Sequence, residues 1–284
     1  MVEYGNGGGL MFTRLNGVDI FYKVQGHGRP MLTIHGGPGI SDHREAEAAF
    51  RPLEDHFSLV YYDQRGSGQS SEADPRTYTH RQFAQDAEDL RKHLGHEKVI
   101  LLGGSYGGFI AMEYALLYPE AVSHLILRGT ASHKGFIESA INNALAANIT
   151  GLNRQSLEKM FNGNLESEEE LHRLFTCVYP LYFKRAVPKA AGIKLRDRSI
   201  HINTHNAIFS DIFPAYDITS RLPEMKVPTL VLCGDGDWVT PPAYSEEIAR
   251  LIPEARLDIF ENCGHAVHAD YPDKFIHEIL SFIG

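Results

Sequence analysis

The stretch Gly103-Gly104-Ser105-Tyr106-Gly107 sets one hydroxyl among glycines directly after the apolar run 99–102. A tight turn would account for Gly and Ser together, since both are ordinary loop formers. The G-x-S-x-G spacing between a strand and a helix points to something more specific, a sharp elbow that holds Ser105 out as a nucleophile. A serine hydroxyl reacts poorly at neutral pH unless a base lies within hydrogen-bond reach and an acid orients that base. Two later strand ends offer them: Gly234-Asp235-Gly236-Asp237 after the run 229–233, and Glu261-Asn262-Cys263-Gly264-His265 after 257–260. The order nucleophile, acid, base is the one an elbow of this kind takes. Asp237 is the expected acid because it stands deeper in its turn, just before Val239 and Thr240, with Asp235 as the alternative. His265 is the expected base.

Acyl transfer through such a group also needs two donors aimed where negative charge develops, each worth roughly 3 to 4 kcal/mol when removed. The amide of Tyr106 is one, at the start of a helix whose dipole helps. The other is expected in His35-Gly36-Gly37-Pro38-Gly39. Pro38 has no N–H, so Gly37 is the better donor.

The elements that must position these groups follow from periodicity. Residues 11–24 are two alternating segments around Asn16-Gly17, a strong hairpin signal. Strands are expected at 31–34, 58–62, 99–102, 122–127, 227–233 and 255–260, and helices at 43–55, 81–94, 106–117, 243–251 and 272–282. Strand and helix in alternation mean parallel pairing with helical crossovers, hence an α/β fold with a mostly parallel sheet covered on both faces. The pattern breaks over 131–220, where charged helical stretches such as 166–175 stand without a clear strand. This segment is expected to be a helical cap on a core made of 1–130 and 221–284. Residues 1–9 are expected to be a floppy lead-in.

Composition bounds the function. The chain has 284 residues, 43% hydrophobic and 22% charged, near the globular average, and its formal net charge is -9. A nucleic-acid partner would want a basic patch, so none is expected. No apolar run approaches bilayer length, so no membrane partner is expected either. Cys177, Cys233 and Cys263 are odd in number and without C-x-x-C spacing, which argues against a disulfide framework or zinc site. A reducing cytoplasm is the expected location, with all three cysteines as buried inert thiols. His201 and His205 stand at i, i+4 but lack an acid between them, so they are not expected to bind a metal. Glu168, Glu169 and Glu170 are expected to form a solvated helix face.

The residues 35–39, Asp63-Gln64-Arg65-Gly66-Ser67-Gly68-Gln69-Ser70, 103–108, 234–237 and Gly264-His265 together resemble those of the α/β-hydrolases, and more narrowly of the prolyl iminopeptidase-related, peptidase S33-like group. The resemblance implies the α/β-hydrolase fold, a serine hydrolase with a Ser105–His265–Asp237 triad, no metal or organic cofactor, and a small-molecule substrate. It also implies that Asp63 and Arg65 pair to shape the floor of the site. His268, three residues after the base, is expected to be its neighbour on the same helical turn and no more. Two departures bear on substrate. Aminopeptidases of this group hold the substrate's free amine with one carboxylate directly after the catalytic acid and another in the cap; here Trp238 follows Asp237, and 203–209 contain no acid. An ammonium ion taken out of water without a counter-charge is costly, so such a site favours a neutral acyl group. The expected reaction is hydrolysis of a small ester, lactone or amide, with Trp238 lining the acyl pocket or packing under the cap. The alternative is release of N-terminal residues such as proline from short peptides.

Overall fold

At Asn16-Gly17 both residues have positive φ, 47° and 83°, the turn whose twist matches two antiparallel strands. In this computed structural model, which describes residues 11–185 and 199–284, that turn joins β1 (Met11–Leu15) to β2 (Val18–Gly26). The chain continues through β3 (Arg29–Ile34), α1 (His43–Phe50), β4 (Phe57–Tyr62), α2 (His80–His93), β5 (Val99–Gly104), α3 (Tyr106–Leu117) and β6 (Val122–Arg128). Then come α4 (Phe136–Ala146), α5 (Arg154–Phe161), α6 (Glu168–Val178) and α7 (Ile202–Ala207), the last continuing into a π-helical turn over Ile208–Ile212. The chain closes with β7 (Thr229–Gly234), α8 (Pro242–Leu251), β8 (Arg256–Phe260), α9 (Val267–Asp270) and α10 (Pro272–Ile283).

The eight strands form one sheet in the order β1-β2-β4-β3-β5-β6-β7-β8. Pairing is antiparallel at β1/β2 and β2/β4 and parallel everywhere else. The buried runs Val99–Gly104 and Thr229–Gly234 are apolar because helices cover both faces there, as parallel strands require. One apolar cluster, including Ile20, Leu101, Phe109 and Leu125, continues into the helical segment through Phe136 and Leu174. The other, under α1 and α10, centres on Met31, Leu102, Ile126 and Phe275.

Two sequence expectations differ from the structure. A single helix over 43–55 is instead α1 ending at Phe50 and a 3-10 turn over Arg51–Asp55, because Pro52 has no N–H to continue the α-helical ladder. The cysteines are not all buried: Cys233 and Cys263 are, and burial pushes the Cys233 thiol up to about 12, but Cys177 is half-exposed. Between β6 and β7 no described residue belongs to a strand of the sheet. Only an isolated bridge, His133 with Asp217, occurs there. The lead-in 1–9 lies outside the described residues.

Candidate active site

Ser105 sits between β5 and α3 with φ 52° and ψ −122°, a conformation that L residues avoid. What holds it there is close packing around the elbow. A Cβ on Gly107 would stand 2.0 Å from the Ile34 carbonyl oxygen, and one on Gly103 would stand 2.4 Å from that of Gly107. The Ser105 amide donates to the Arg128 carbonyl at 2.8 Å. Strand, helix and nucleophile are thereby fixed by glycines that no other residue could replace without displacing backbone.

The two late strand ends bring Asp237 and His265 together. His265 Nδ1 lies 2.7 Å from Asp237 Oδ2, both side chains almost wholly buried. Asp237 also accepts from the amides of Val239 (2.8 Å) and Thr240 (2.9 Å) and from Thr240 Oγ1 (3.0 Å), bonds that fix its rotamer. Asp235, the alternative acid, instead accepts from the amides of Asn262 and Cys263 at the rim of the same turn. His265 Nε2 is buried and makes no hydrogen bond, and Ser105 lines the same cavity as His265. A serine and a base that share a cavity without a closed hydrogen bond are common in an empty site, the contact tightening when substrate arrives.

Gly37, at φ +54°, and Tyr106 both line the cavity at Ser105. Among the described residues neither amide donates to a backbone or side-chain acceptor. For Tyr106 this is the orphaned first N–H of α3. The 35–39 loop is held from below by the Gln64 side-chain amide, which donates to the His35 carbonyl at 2.7 Å, and from above by the His201 amide, which donates to the Gly39 carbonyl at 2.8 Å.

The cavity has two lobes that meet at Ser105. One is lined by Phe109, Phe161, Phe209, Phe213, Trp238 and other apolar groups, with no carboxylate among its described lining residues. Trp238 both lines this lobe and packs beneath the helical segment, edge-on to Phe161 and Tyr182 at 6.5 and 5.6 Å. The second lobe carries Glu45, Arg128, His268 and Tyr179 beside Ser105 and His265. Tyr182 lines both, its ring edge-on to His265 at 5.2 Å and its carbonyl accepting the Ala266 amide.

Several expected pairings come out differently. Asp63 and Arg65 do not pair with each other: Asp63 accepts from the His43 amide and ring and from the Gln69 amide, while Arg65 makes a buried bidentate pair with Asp86 at 2.5 and 2.7 Å. Asp63's two oxygens are taken by His43 and Gln69, and Asp86 on α2 offers Arg65 the planar partner that a guanidinium prefers. Asp42, His43 and Asp63 lie close enough to share a cation, but the Asp63 oxygens and His43 Nδ1 are already committed to one another and to backbone, and Asp42 to Arg44. His205 Nδ1 and Nε2 sit 3.2 and 3.0 Å from the Pro38 and Met160 carbonyls, and His201 Nε2 contacts Ser199 and Gly68, so this pair serves to dock α7 on the loops. His268 is on α9, not on a shared helical turn with His265, which precedes it. Arg128, Glu45 and Tyr182 were not singled out from the sequence. The legible signal for Arg128 was a lone charge closing an apolar strand, at the carboxyl end of a parallel sheet where ligands gather.

A profile of the alpha/beta hydrolase fold matches residues 29–272. The proline iminopeptidase PfmaB of Pestalotiopsis fici is 35% identical over 96% of this chain and 98% of its own length. A proline iminopeptidase of Saccharolobus solfataricus is 29% identical over 96% and 91% of the two chains. Among solved structures, an esterase from Exiguobacterium antarcticum superposes with a TM-score of 0.71 at 25% identity, over 97% of this chain and 99% of that one.

Proposed function

The chain belongs to the alpha/beta hydrolase family, in its prolyl iminopeptidase-related group, and on that premise we propose that it is a serine hydrolase of small, neutral acyl substrates. Ser105 Oγ attacks the substrate carbonyl carbon while His265 Nε2 takes its proton, Asp237 stabilising the imidazolium through Nδ1. The tetrahedral oxyanion accepts from the Gly37 and Tyr106 amides. Collapse breaks the bond to the leaving group, which receives the proton from His265, and leaves an ester on Ser105. Water then repeats the sequence, giving its proton to His265 and releasing the acid and free Ser105. In this reading the segment 131–220, whose described helices are α4 to α7, is the cap that closes the acyl lobe.

The observation that carries the substrate class is the lobe at Ser105, apolar and without a carboxylate among its described lining residues. Its volume is about 60 Å³, small beside the roughly 150 Å³ that accepts benzene, which favours short acyl chains. The names of the iminopeptidase relatives favour the aminopeptidase reading instead. That reading needs an anion for the substrate's ammonium, and Glu45 in the neighbouring lobe is already held by the Ser41 hydroxyl and lies 3.8 Å from Arg128. A fluorophosphonate probe tests the serine chemistry common to both. Covalent labelling of the wild-type protein, absent in Ser105→Ala, is expected; a folded wild type that resists labelling contradicts it.

A further inference from the structure

A cation buried next to a catalytic centre needs a reason, because removing a guanidinium from water is costly and an apolar side chain would fill the same space at the end of β6. Arg128 is 4% exposed, its Nε makes no hydrogen bond, and burial pushes the guanidinium's pKa below its usual value. Its contacts reach three separate pieces of the site. Its carbonyl accepts the Ser105 amide at 2.8 Å. Its Nη1 donates to the His265 carbonyl at 3.2 Å, across 137 residues of chain. Its guanidinium lies flat against Gly104, where a Cβ would stand 2.4 Å from Nη2. Nη2 also faces Glu45 of α1 at 3.8 Å, and Glu45 accepts from the Ser41 hydroxyl, whose own amide donates to the Gly37 carbonyl at 3.0 Å.

We propose that Arg128, with Glu45, is a positioning residue that holds nucleophile, base and oxyanion loop in register. The inference rests on the serine-hydrolase reading above. Arg128 does not touch the reacting atoms; its guanidinium packs on Gly104 beside Ser105 and holds the His265 carbonyl, while Glu45 passes the constraint to Gly37 through Ser41. The Ser105 amide bond is to the Arg128 main chain, which any residue here would keep. The arrangement suits a site whose three parts come from β3, β5 and the loop after β8 and share no local chain. A guanidinium serves where an apolar group would not, because its planar fork can reach two acceptors on different elements at once.

The test compares Arg128→Met, Arg128→Lys, Glu45→Gln and the double variant Arg128→Met/Glu45→Gln. Three quantities are read: the second-order rate of fluorophosphonate labelling at Ser105, kcat and KM for p-nitrophenyl acetate, and Tm. For Arg128→Met, labelling rate and kcat are expected to fall about 100-fold, the loss that a misplacement near 1 Å brings, with KM changed less than about threefold, since no substrate contact is removed. Arg128→Lys keeps one donor and is expected to recover part of the rate. The double variant also removes the Glu45 charge that faces the guanidinium and is expected to recover Tm without recovering the rate. Should Arg128→Met fail to fold, Glu45→Gln carries the test, with labelling expected to slow about 10-fold and an unchanged rate overturning the inference. A folded double variant labelled at the wild-type rate overturns it, as does a rise in KM at constant kcat, which would make Arg128 a substrate contact. Failure of the underlying reading is separately visible, because the wild type itself would then go unlabelled.

Discussion

At the scale of single residues, the site's chemistry depends on which nitrogen of His265 carries the proton. In the proposed reading Asp237 accepts the Nδ1–H and is itself fixed by three further donors, so Asp237→Asn keeps the shape and the two amide bonds to Oδ1 but puts a donor at Oδ2, facing His265 and the Thr240 hydroxyl. A loss of about 10⁴-fold in kcat for p-nitrophenyl acetate is expected, of the size seen when the acid of such a triad is neutralised, with Tm nearly unchanged. An Asn variant retaining a tenth of the activity would remove Asp237 from the reaction. Trp238 lines the apolar lobe at Ser105, the acyl wall in the proposed reading. Trp238→Ala is expected to move the optimum from short to longer p-nitrophenyl esters and to cost about 3 kcal/mol or more of stability, as large-to-small core changes do; an unmoved chain-length profile contradicts its place in the lobe. That Ser105, Asp237, His265, Gly37, Tyr106 and Trp238 gather at one candidate site was legible in the sequence because each stands at a turn whose spacing has a mechanical reason. Arg128, Glu45 and Tyr182 were not, since what they do depends on contacts between distant segments that spacing does not encode.

At the scale of elements, the elbow between β5 and α3 stores strain. A non-glycine residue in this region of φ and ψ costs about 1 to 3 kcal/mol, and close packing at the flanking glycines, together with the Ser105 amide's bond to the Arg128 carbonyl, keeps it in place. Ser105→Gly is therefore expected to raise Tm or leave it unchanged while abolishing turnover; a clear fall in Tm would mean that the serine side chain, not the backbone, holds the elbow. Gly107→Ala should do the reverse, destabilising the core against the Ile34 carbonyl, and is read by soluble yield and Tm. The strands and helices of the sheet were legible to within a residue or two because their apolar periods are those of buried parallel strands and crossover helices. The end of α1 was missed because Pro52 breaks a pattern whose apolar residues continue in phase. The link between Asp63 and Arg65 was misread for the opposite reason: residues close in sequence were paired, while the fold gave each a partner from another helix.

At the scale of the whole molecule, two buried histidines, His80 and His205, and the half-buried His268 stand where their charged form is disfavoured. Burial pushes His80 down to about 3, and burial followed by the Arg128 charge does the same to His268. Burial lowers His205 to about 4 against two opposing carbonyl contacts. Their folded values lie below the unfolded value of about 6.5. The unfolded chain therefore binds more protons than the folded one as pH falls from about 6.5 towards 4, and stability drops over that window. Each group contributes up to about 1.4 kcal/mol per pH unit, so the urea midpoint is expected to fall steeply between pH 7 and pH 5; a flat midpoint contradicts neutral burial of these rings. The whole-molecule charge of -9 and the apolar lobe were readable in composition and in the missing acids, but the cavity's two lobes exist only once the helical segment is laid over the sheet. The most direct test of the account sets p-nitrophenyl acetate and butyrate against prolyl and alanyl p-nitroanilides on the purified protein, with Ser105→Ala as the blank. Turnover of the esters with the free-amine anilides left nearly untouched is the predicted result. Preference for the prolyl anilide by orders of magnitude would contradict it, and would mean that the site holds an ammonium ion with a carboxylate.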